Sequence, residues 1–415
     1  MKIVHINFWD KLGGAAIASN RLHKTMINMG INSKMIVFDK LIKDDKTVFA
    51  IDSFFNKIIN SIYNIIDSRR LKKFRPFVGN FSIGTLGKDV SKLEIIKEAD
   101  VIYIHWINNN FLSISSINKL LNLNKPVIWF LHDMWPFTGG CHHSFECIKY
   151  QTQCESCDLL KSKNAKDISF KDLNLKIKKI GLPHTNLHIV SPSNWLAECA
   201  KKSVVFSKNK ISVIPNLIDI NKYKPINKEY ARKILNLPCD GKIILFGADM
   251  GLNNPYKGWS YLKEALMRID FPFSILTFGG ESQENSLNDF PFIIYNQGRL
   301  FDDYSLMLLY NACDVFVIPS LAEAFGQTAL EATSCGTPVV GFNVGGIPDI
   351  IQHKKNGYLA KYRDAVDLQA GIEWVLNNTR YDELCKDCRD FAVKTFSSEK
   401  VVKQHIEVIS TLILS

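Results

Sequence analysis

The sequence predicts an α/β protein: two Rossmann-like, doubly wound parallel-sheet domains facing a central cleft. Three observations carry that prediction. Short β-branched runs alternate with longer helical patterns along the chain. The alternation stops near Pro215 and then restarts, which gives two similar halves. The 415 residues, 46% hydrophobic and 22% charged, are enough for two or three domains of roughly 150 residues each.

The first half opens on the strand Lys2–Asn7, and Gly13-Gly14 then begins an amphipathic stretch from Ala15 to Met29. Ser33–Phe38 is the next strand. Phe54–Ile66 forms a helix with an apolar face, followed by the cations Arg69, Arg70, Lys72, Lys73 and Arg75. Further strands are Val101–His105, Val127–His132 and Leu187–Ser191. In the second half, Lys242–Gly247, Phe273–Phe278, Val315–Pro319 and Pro338–Gly341 alternate with helices such as Trp259–Ile269 and Gln327–Cys335. These patterns place the first domain at 1–210 and the second at 211–399. The helical run 400–415 is expected to pack back on the first domain.

No run of 18 apolar residues is present, so no helix is expected to span a bilayer. Asp10 and Lys11 follow Met1–Phe8 too closely for a signal peptide. The expected location is cytoplasmic, with the ten cysteines as thiols or metal ligands before disulfides. All of the +10 net charge lies in residues 1–200, with 27 basic against 17 acidic residues; residues 201–415 carry 24 of each. Phe54–Ile66 beside its cations reads as a helix docking on the anionic inner face of a membrane. A helix packed on its own domain with a basic exposed turn is the plainer alternative. No nucleic acid partner is expected.

In doubly wound sheets, ligands bind beyond the carboxyl ends of the strands, so the loops there hold the candidate residues. The loop after Val315–Pro319 carries Glu323, Phe325 and Gly326, and a helix from Gln327 carries Glu331. Free amides at a helix start can face phosphate, and a carboxylate can accept from vicinal hydroxyls. Gly13 and Gly14 sit at an equivalent turn. Lys257 precedes a helix and can neutralise a leaving diphosphate; with no DxD motif present, no catalytic metal is expected. His132 and Asp133 end one strand, and His105 and Trp106 end another. Asn216 follows Pro215 in the segment between the halves, where it fixes the hinge, touches a bound ligand or simply forms a turn. Asp39, ending the second strand, leaves a dinucleotide-binding alternative open.

Cys141, Cys147, Cys154 and Cys157 show the spacing C-x5-C-x6-C-x2-C, which lets four thiolates reach one structural zinc ion. His142 and His143 offer substitute ligands, and disulfides or free thiols are the alternatives. Cys385-x2-Cys388 reads as a helix face.

Glu323-x7-Glu331, within VFVIPSLAEAFGQTALEATSCGTPVVGFNVGGIPDII, resembles the signature of retaining family 4 glycosyltransferases, which have the GT-B fold. The resemblance runs through most of the chain. It takes in Gly13-Gly14, His132-Asp133, SPSNW (Ser191–Trp195), IPNLID (Ile214–Asp219), YKGW (Tyr256–Trp259) and Gly345-Gly346. It implies that Glu323 contacts donor sugar hydroxyls and Glu331 holds the ribose. Phe325, Gly326 and Gln327 would supply backbone around the diphosphate, and His132 would lie near the reacting sugar. Relatives carry an Arg shortly before the equivalent of Lys257. This chain has Ala248 and Asp249 in that region, so Lys257 works alone or Arg299 or another cation substitutes.

The implied activity is retaining transfer of a hexose from a UDP-, GDP- or ADP-sugar to a glycan or polyprenyl-diphosphate-linked acceptor, in bacterial surface polysaccharide biosynthesis. Such lipopolysaccharide or O-antigen assembly would use a front-face path, with the leaving phosphate helping to deprotonate the acceptor. A sugar-nucleotide epimerase and a catalytically silent sugar-nucleotide binder are the alternatives.

Overall fold

The computed structural model describes residues 1–51, 53–74, 79–164, 166–181, 184–247, 254–280, 291–300 and 302–414. The chain divides into two compact units: Met1–Asn216 with Val401–Ser415, and Leu217–Lys400.

The first unit runs β1 (Lys2–Trp9), α1 (Gly14–Asn28), β2 (Asn32–Asp39), β3 (Val48–Ala50), α2 (Phe54–Lys72), α3 (Glu94–Lys97), β4 (Val101–Ile104), α4 (Ile114–Leu121), β5 (Val127–Phe130), α5 (Ile168–Lys179), β6 (Leu187–Ser191), α6 (Asn194–Lys202) and β7 (Lys210–Val213). Its seven strands lie in the order β3-β2-β1-β4-β5-β6-β7, all paired in parallel. The central strands β4 and β5 are buried throughout, as a parallel sheet covered on both faces requires. Because β7 pairs with β6, this unit continues past residue 210 to Asn216.

The second unit runs α7 (Lys228–Ile234), β8 (Lys242–Gly247), α8 (Trp259–Leu266), β9 (Phe273–Phe278), β10 (Ile293–Asn296), α9 (Asp303–Ala312), β11 (Val315–Ile318), α10 (Gln327–Ser334), β12 (Val339–Phe342), β13 (Gly357–Ala360), α11 (Ala365–Leu376) and α12 (Tyr381–Phe396). The strand order is β10-β9-β8-β11-β12-β13. Alternation along the strands splits the core in two. Ile243, Leu245, Phe316 and Ile318 pack with residues of α7, α9, α10 and α12. Ile244, Phe246, Val315 and Val317 pack with α8 and α11 on the other face.

The final helix, α13 (Ser398–Leu414), contributes to the first unit from Val401 onward. Its buried His405 meets the Tyr103 hydroxyl through Nδ1 at 3.2 Å, and its ring lies 5.6 Å from that of Phe130.

Helix α2 is inverted relative to an ordinary surface helix. It buries Asn60 and Asp67, with Leu71 as its one buried apolar residue, while Phe54 and Phe55, each 75% exposed, share the outer face with Ile58, Ile59, Ile62 and Ile65. Arg69, Arg70 and Lys72 occupy its last turn; Arg75 lies outside the described residues.

Candidate active site

In the second unit, Glu323 sits in the loop between β11 and α10, and its Oε2 accepts a hydrogen bond from Lys257 Nζ at 2.7 Å. Both side chains keep part of their surface, 17% for Glu323 and 25% for Lys257, so the pair is open to a ligand. Backbone contacts hold the two together. Gly258 has φ of 68°, and a Cβ there would stand 1.9 Å from the Pro319 carbonyl oxygen. The Leu321 amide donates to Tyr256 O at 2.7 Å, stitching the Lys257 turn to the Glu323 loop. From the other side, the Gly346 amide donates to Glu323 O at 3.0 Å, and a Cβ on Gly345 would meet that oxygen at 1.9 Å. Glycine at 258 and 345 is what permits these approaches.

Helix α10 begins at Gln327 with Gly326 as its cap and has no side-chain cap bond. Its first amides are therefore left for another acceptor. Beside them, Gln327 Oε1, Gln327 Nε2 and the Ser320 hydroxyl are buried without a hydrogen-bond partner among the described residues. Unsatisfied buried polar groups are costly, and a bound polar ligand is one way to satisfy them. The Phe325 ring is buried in the core against Phe396, which leaves its backbone as the part available to a ligand. Glu331 is 2% exposed, and its Oε2 accepts from the Tyr310 hydroxyl at 2.9 Å inside the unit. Arg299 is exposed just beyond β10, while Ala248 and Asp249 lie outside the described residues.

In the first unit, Gly13 and Gly14 form an exposed start of α1 with open space around both. His132 stands two residues beyond β5, with Nε2 at 3.0 Å from His105 Nδ1. Burial lowers the pKa of His132 to about 4 in spite of neighbouring Asp133. Asp133 itself is a buried clamp: it accepts from Trp106 Nε1 at 2.9 Å, His142 Nδ1 at 2.6 Å and the Trp135 amide at 2.9 Å. Burial raises a carboxyl, but the His142 ring and these bonds hold Asp133 below the usual carboxylate range. Trp106 also stacks on Trp9, 5.8 Å between rings. Asn216 is buried as the last residue of this stretch of the unit. Asp39 is paired with Lys57 at 3.3 Å.

The segment after Asp133 is held by a buried cation that sequence reasoning missed. Lys176 of α5 is wholly buried; it donates to the Trp135 and Thr138 carbonyls at 2.7 and 2.9 Å and pairs with Asp172 at 3.3 Å. Its ammonium also lies 3.9 Å from the centre of the Trp135 ring. In the sequence it is one lysine among several on α5, and only its partners distinguish it.

The four cysteines of the same segment line one cavity of about 20 Å³, together with Phe81, Gly139 and Ser169. All four are free thiols, and burial pushes Cys141 and Cys157 upward and Cys154 up to about 12. As placed, no group of three or more His, Cys, Asp or Glu side chains among the described residues is set to hold a metal ion. His142 is not a substitute ligand, because Asp133 takes its Nδ1 and Ser82 its Nε2 at 2.8 Å. Cys388 faces inward from α12 and donates to Asn356 O.

The second unit thus brings a carboxylate–ammonium pair close to a helix start that no side chain caps. Residues 227–395 match the family model described as Glycosyl transferases group 1. An uncharacterized glycosyltransferase of Methanocaldococcus jannaschii is 25% identical over 352 residues, spanning 78% of this chain and 87% of that protein. A D-inositol 3-phosphate glycosyltransferase of Mycolicibacterium smegmatis is 29% identical over 184 residues, 41% of each chain. In fold, the chain is similar to Anabaena HepE, solved in complex with UDP-glucose, at a TM-score of 0.65 and 15% identity over 99% of this chain and 100% of that one. The family match lies within the second unit, and the likeness to the solved structure is one of fold.

Proposed function

We propose that this chain transfers a hexose, with retention of anomeric configuration, from a nucleoside-diphosphate sugar to a glycan acceptor. The observation that carries the reading is the Lys257–Glu323 pair beside the open start of α10. Glu323 takes the sugar hydroxyls, Lys257 and the helix amides take the diphosphate, and Glu331 takes the ribose. In the front-face path the bond from the anomeric carbon to phosphate breaks, the acceptor oxygen bonds to that carbon, and its proton passes to the leaving phosphate. The protein's part is orientation and charge stabilisation. His132, His105, Trp106 and Asp133 serve the acceptor side.

A thermal-shift panel of UDP-, GDP- and ADP-sugars tests the donor site, UDP-glucose first because HepE was solved with it. A ligand at 100 times its Kd adds about 2.7 kcal/mol, a readily visible shift. One nucleotide class is expected to raise Tm equally with and without EDTA. No shift from any donor would leave a silent scaffold in place of an enzyme. The same panel reads the cysteine loop, which we take as a structural zinc site that closes on the metal. A Tm drop with EDTA alone supports that reading, and metal-free protein of unchanged Tm removes it.

The acceptor is taken to be lipid-linked, as in surface polysaccharide assembly, with α2 docking on an anionic membrane. Its outward apolar face and terminal cations support this reading. Among the described residues no helix is long and apolar enough to cross a membrane. The protein is expected to sediment with phosphatidylglycerol vesicles at low salt, and a Phe55→Asp, Ile62→Asp variant is expected to stay behind. Equal sedimentation of the two would remove α2 from the contact.

A further inference from the structure

Three histidines stand on one face of the first sheet. His5 lies within β1, His105 follows β4 and His132 lies two residues past β5; these strands are neighbours. His5 is in register with Tyr103, and residues two apart along a strand share a face. The rings therefore climb diagonally toward the strand ends. His5 Nδ1 lies 2.9 Å from His105 Nε2, and His105 Nδ1 lies 3.0 Å from His132 Nε2. At the deep end, His5 Nε2 is buried with no partner among the described residues. At the outer end, the partly exposed His132 contributes Nε2 to the chain. Burial lowers the pKa of all three rings, so each is neutral at pH 7.

A neutral imidazole has one N–H and one lone pair, so each contact needs a donor on one side and an acceptor on the other. Only two proton patterns satisfy both contacts. In the first, every ring is protonated on Nδ1. His5 then donates to His105, His105 donates to His132, and the outer nitrogen of His132 carries an N–H. In the second, every proton is on Nε2, donation runs inward, and the outer nitrogen of His132 is a lone pair. The patterns also differ at the buried end, where the first leaves a lone pair on His5 Nε2 and the second leaves an N–H. Orphaned buried N–H groups are rarer than under-satisfied acceptors, which favours the first pattern.

We propose that His5 and His105 are positioning residues that hold His132 as an Nδ1–H donor toward an oxygen of the bound sugar substrate. The identity of that oxygen rests on the glycosyl-transfer reading; the tautomer does not.

The test is long-range 1H–15N correlation on the full chain with 15N-labelled histidine, His132 being assigned by the signals lost in His132→Ala. In the native protein at pH 7.5, His132 is expected to be protonated on Nδ1 and bare on Nε2. In His5→Asp, whose carboxylate can only accept, His105 is expected to turn its N–H inward, which moves the proton of His132 to Nε2. Loss of one oriented hydrogen bond then lowers kcat about ten-fold, with donor KM little changed. His5→Asn, whose side-chain N–H takes the place of the native donor, is expected to keep both readouts native. An Nε2–H tautomer in the native protein, or an unchanged His132 spectrum in His5→Asp, overturns the proposal. If His5→Asp fails to fold, the native spectrum alone decides. The spectrum needs no substrate, so the predicted tautomer in a protein that transfers no sugar counts against the enzyme reading and for the histidine chain.

Discussion

Glu323→Ala is expected to abolish sugar transfer while leaving the second unit folded. The Glu323 carboxylate is partly exposed and pairs with the Lys257 ammonium, itself in contact with solvent. Pairs of that kind contribute about 0–1 kcal/mol to stability. The loop is positioned by its backbone, through Gly346 and the close approach at Gly345, and these contacts survive the substitution. Removing an oriented group at a reacting centre costs roughly 10²–10³ in kcat. Glu331→Ala is expected to act on both counts: it removes the group proposed to hold the ribose, raising donor KM, and it strips the buried Tyr310 hydroxyl of its acceptor, at about 1–3 kcal/mol. Steady-state kcat, donor KM and Tm, measured on both variants, separate the two roles. A near-native kcat in Glu323→Ala would end its assignment to the reaction.

Mild acid is expected to unfold the first unit well before the second. Burial lowers the pKa of His23, His132 and His188 to about 4 and of His405 to about 3; His5 and His105 are also driven well below 6.5. All six lie in the first unit. The unfolded chain binds these protons as pH falls through about 6.5, whereas the folded rings resist until their own lower values. Above 6.5 the six residues cost nothing. Between 6.5 and about 4 each removes stability, and below its folded pKa the loss levels off. At pH 5 the cost is about 2 kcal/mol for one such ring, and a few of them rival the 5–15 kcal/mol that holds a typical domain. Calorimetry at pH 7.5 and pH 5 is expected to show one transition falling much further than the other. Two transitions moving together would mean the rings titrate near their ordinary values.

The strands that the sequence made legible are the inner ones. β1, β4, β5, β8 and β11 are covered on both faces, so their residues form the continuous apolar runs that sequence reading detects. The four strands it missed, β3, β7, β10 and β13, are the edges of the two sheets. β7 and β10 have exposed ends and only half-buried middles, and a four-residue run of that kind looks like loop. Of the candidate site, the sequence put Glu323 and Lys257 in loops and His132 at the end of a strand; the contacts that join Lys257 to Glu323 and His132 to His105 came only with the structure. What escaped notice depends on partners distant in sequence. Lys176 is ordinary until Trp135 and Asp172 surround it, and His5 is one strand residue until His105 reaches it. The inversion of α2 was half legible: its apolar face could be read, but which face turned outward required the burial of Asn60 and Asp67.

The return of α13 to the first unit sets an order of assembly during synthesis. Residues 401–414 leave the ribosome only after the whole of 217–400, yet His405, Ile409 and Leu412 are buried in the unit that was translated first. That unit must wait with Tyr103 and Phe130 uncovered on one side while the second unit emerges and folds. A nascent chain halted at residue 216 would thus be a client for chaperones, and a nonsense codon near residue 400 would injure the beginning of the protein more than the stretch just before it.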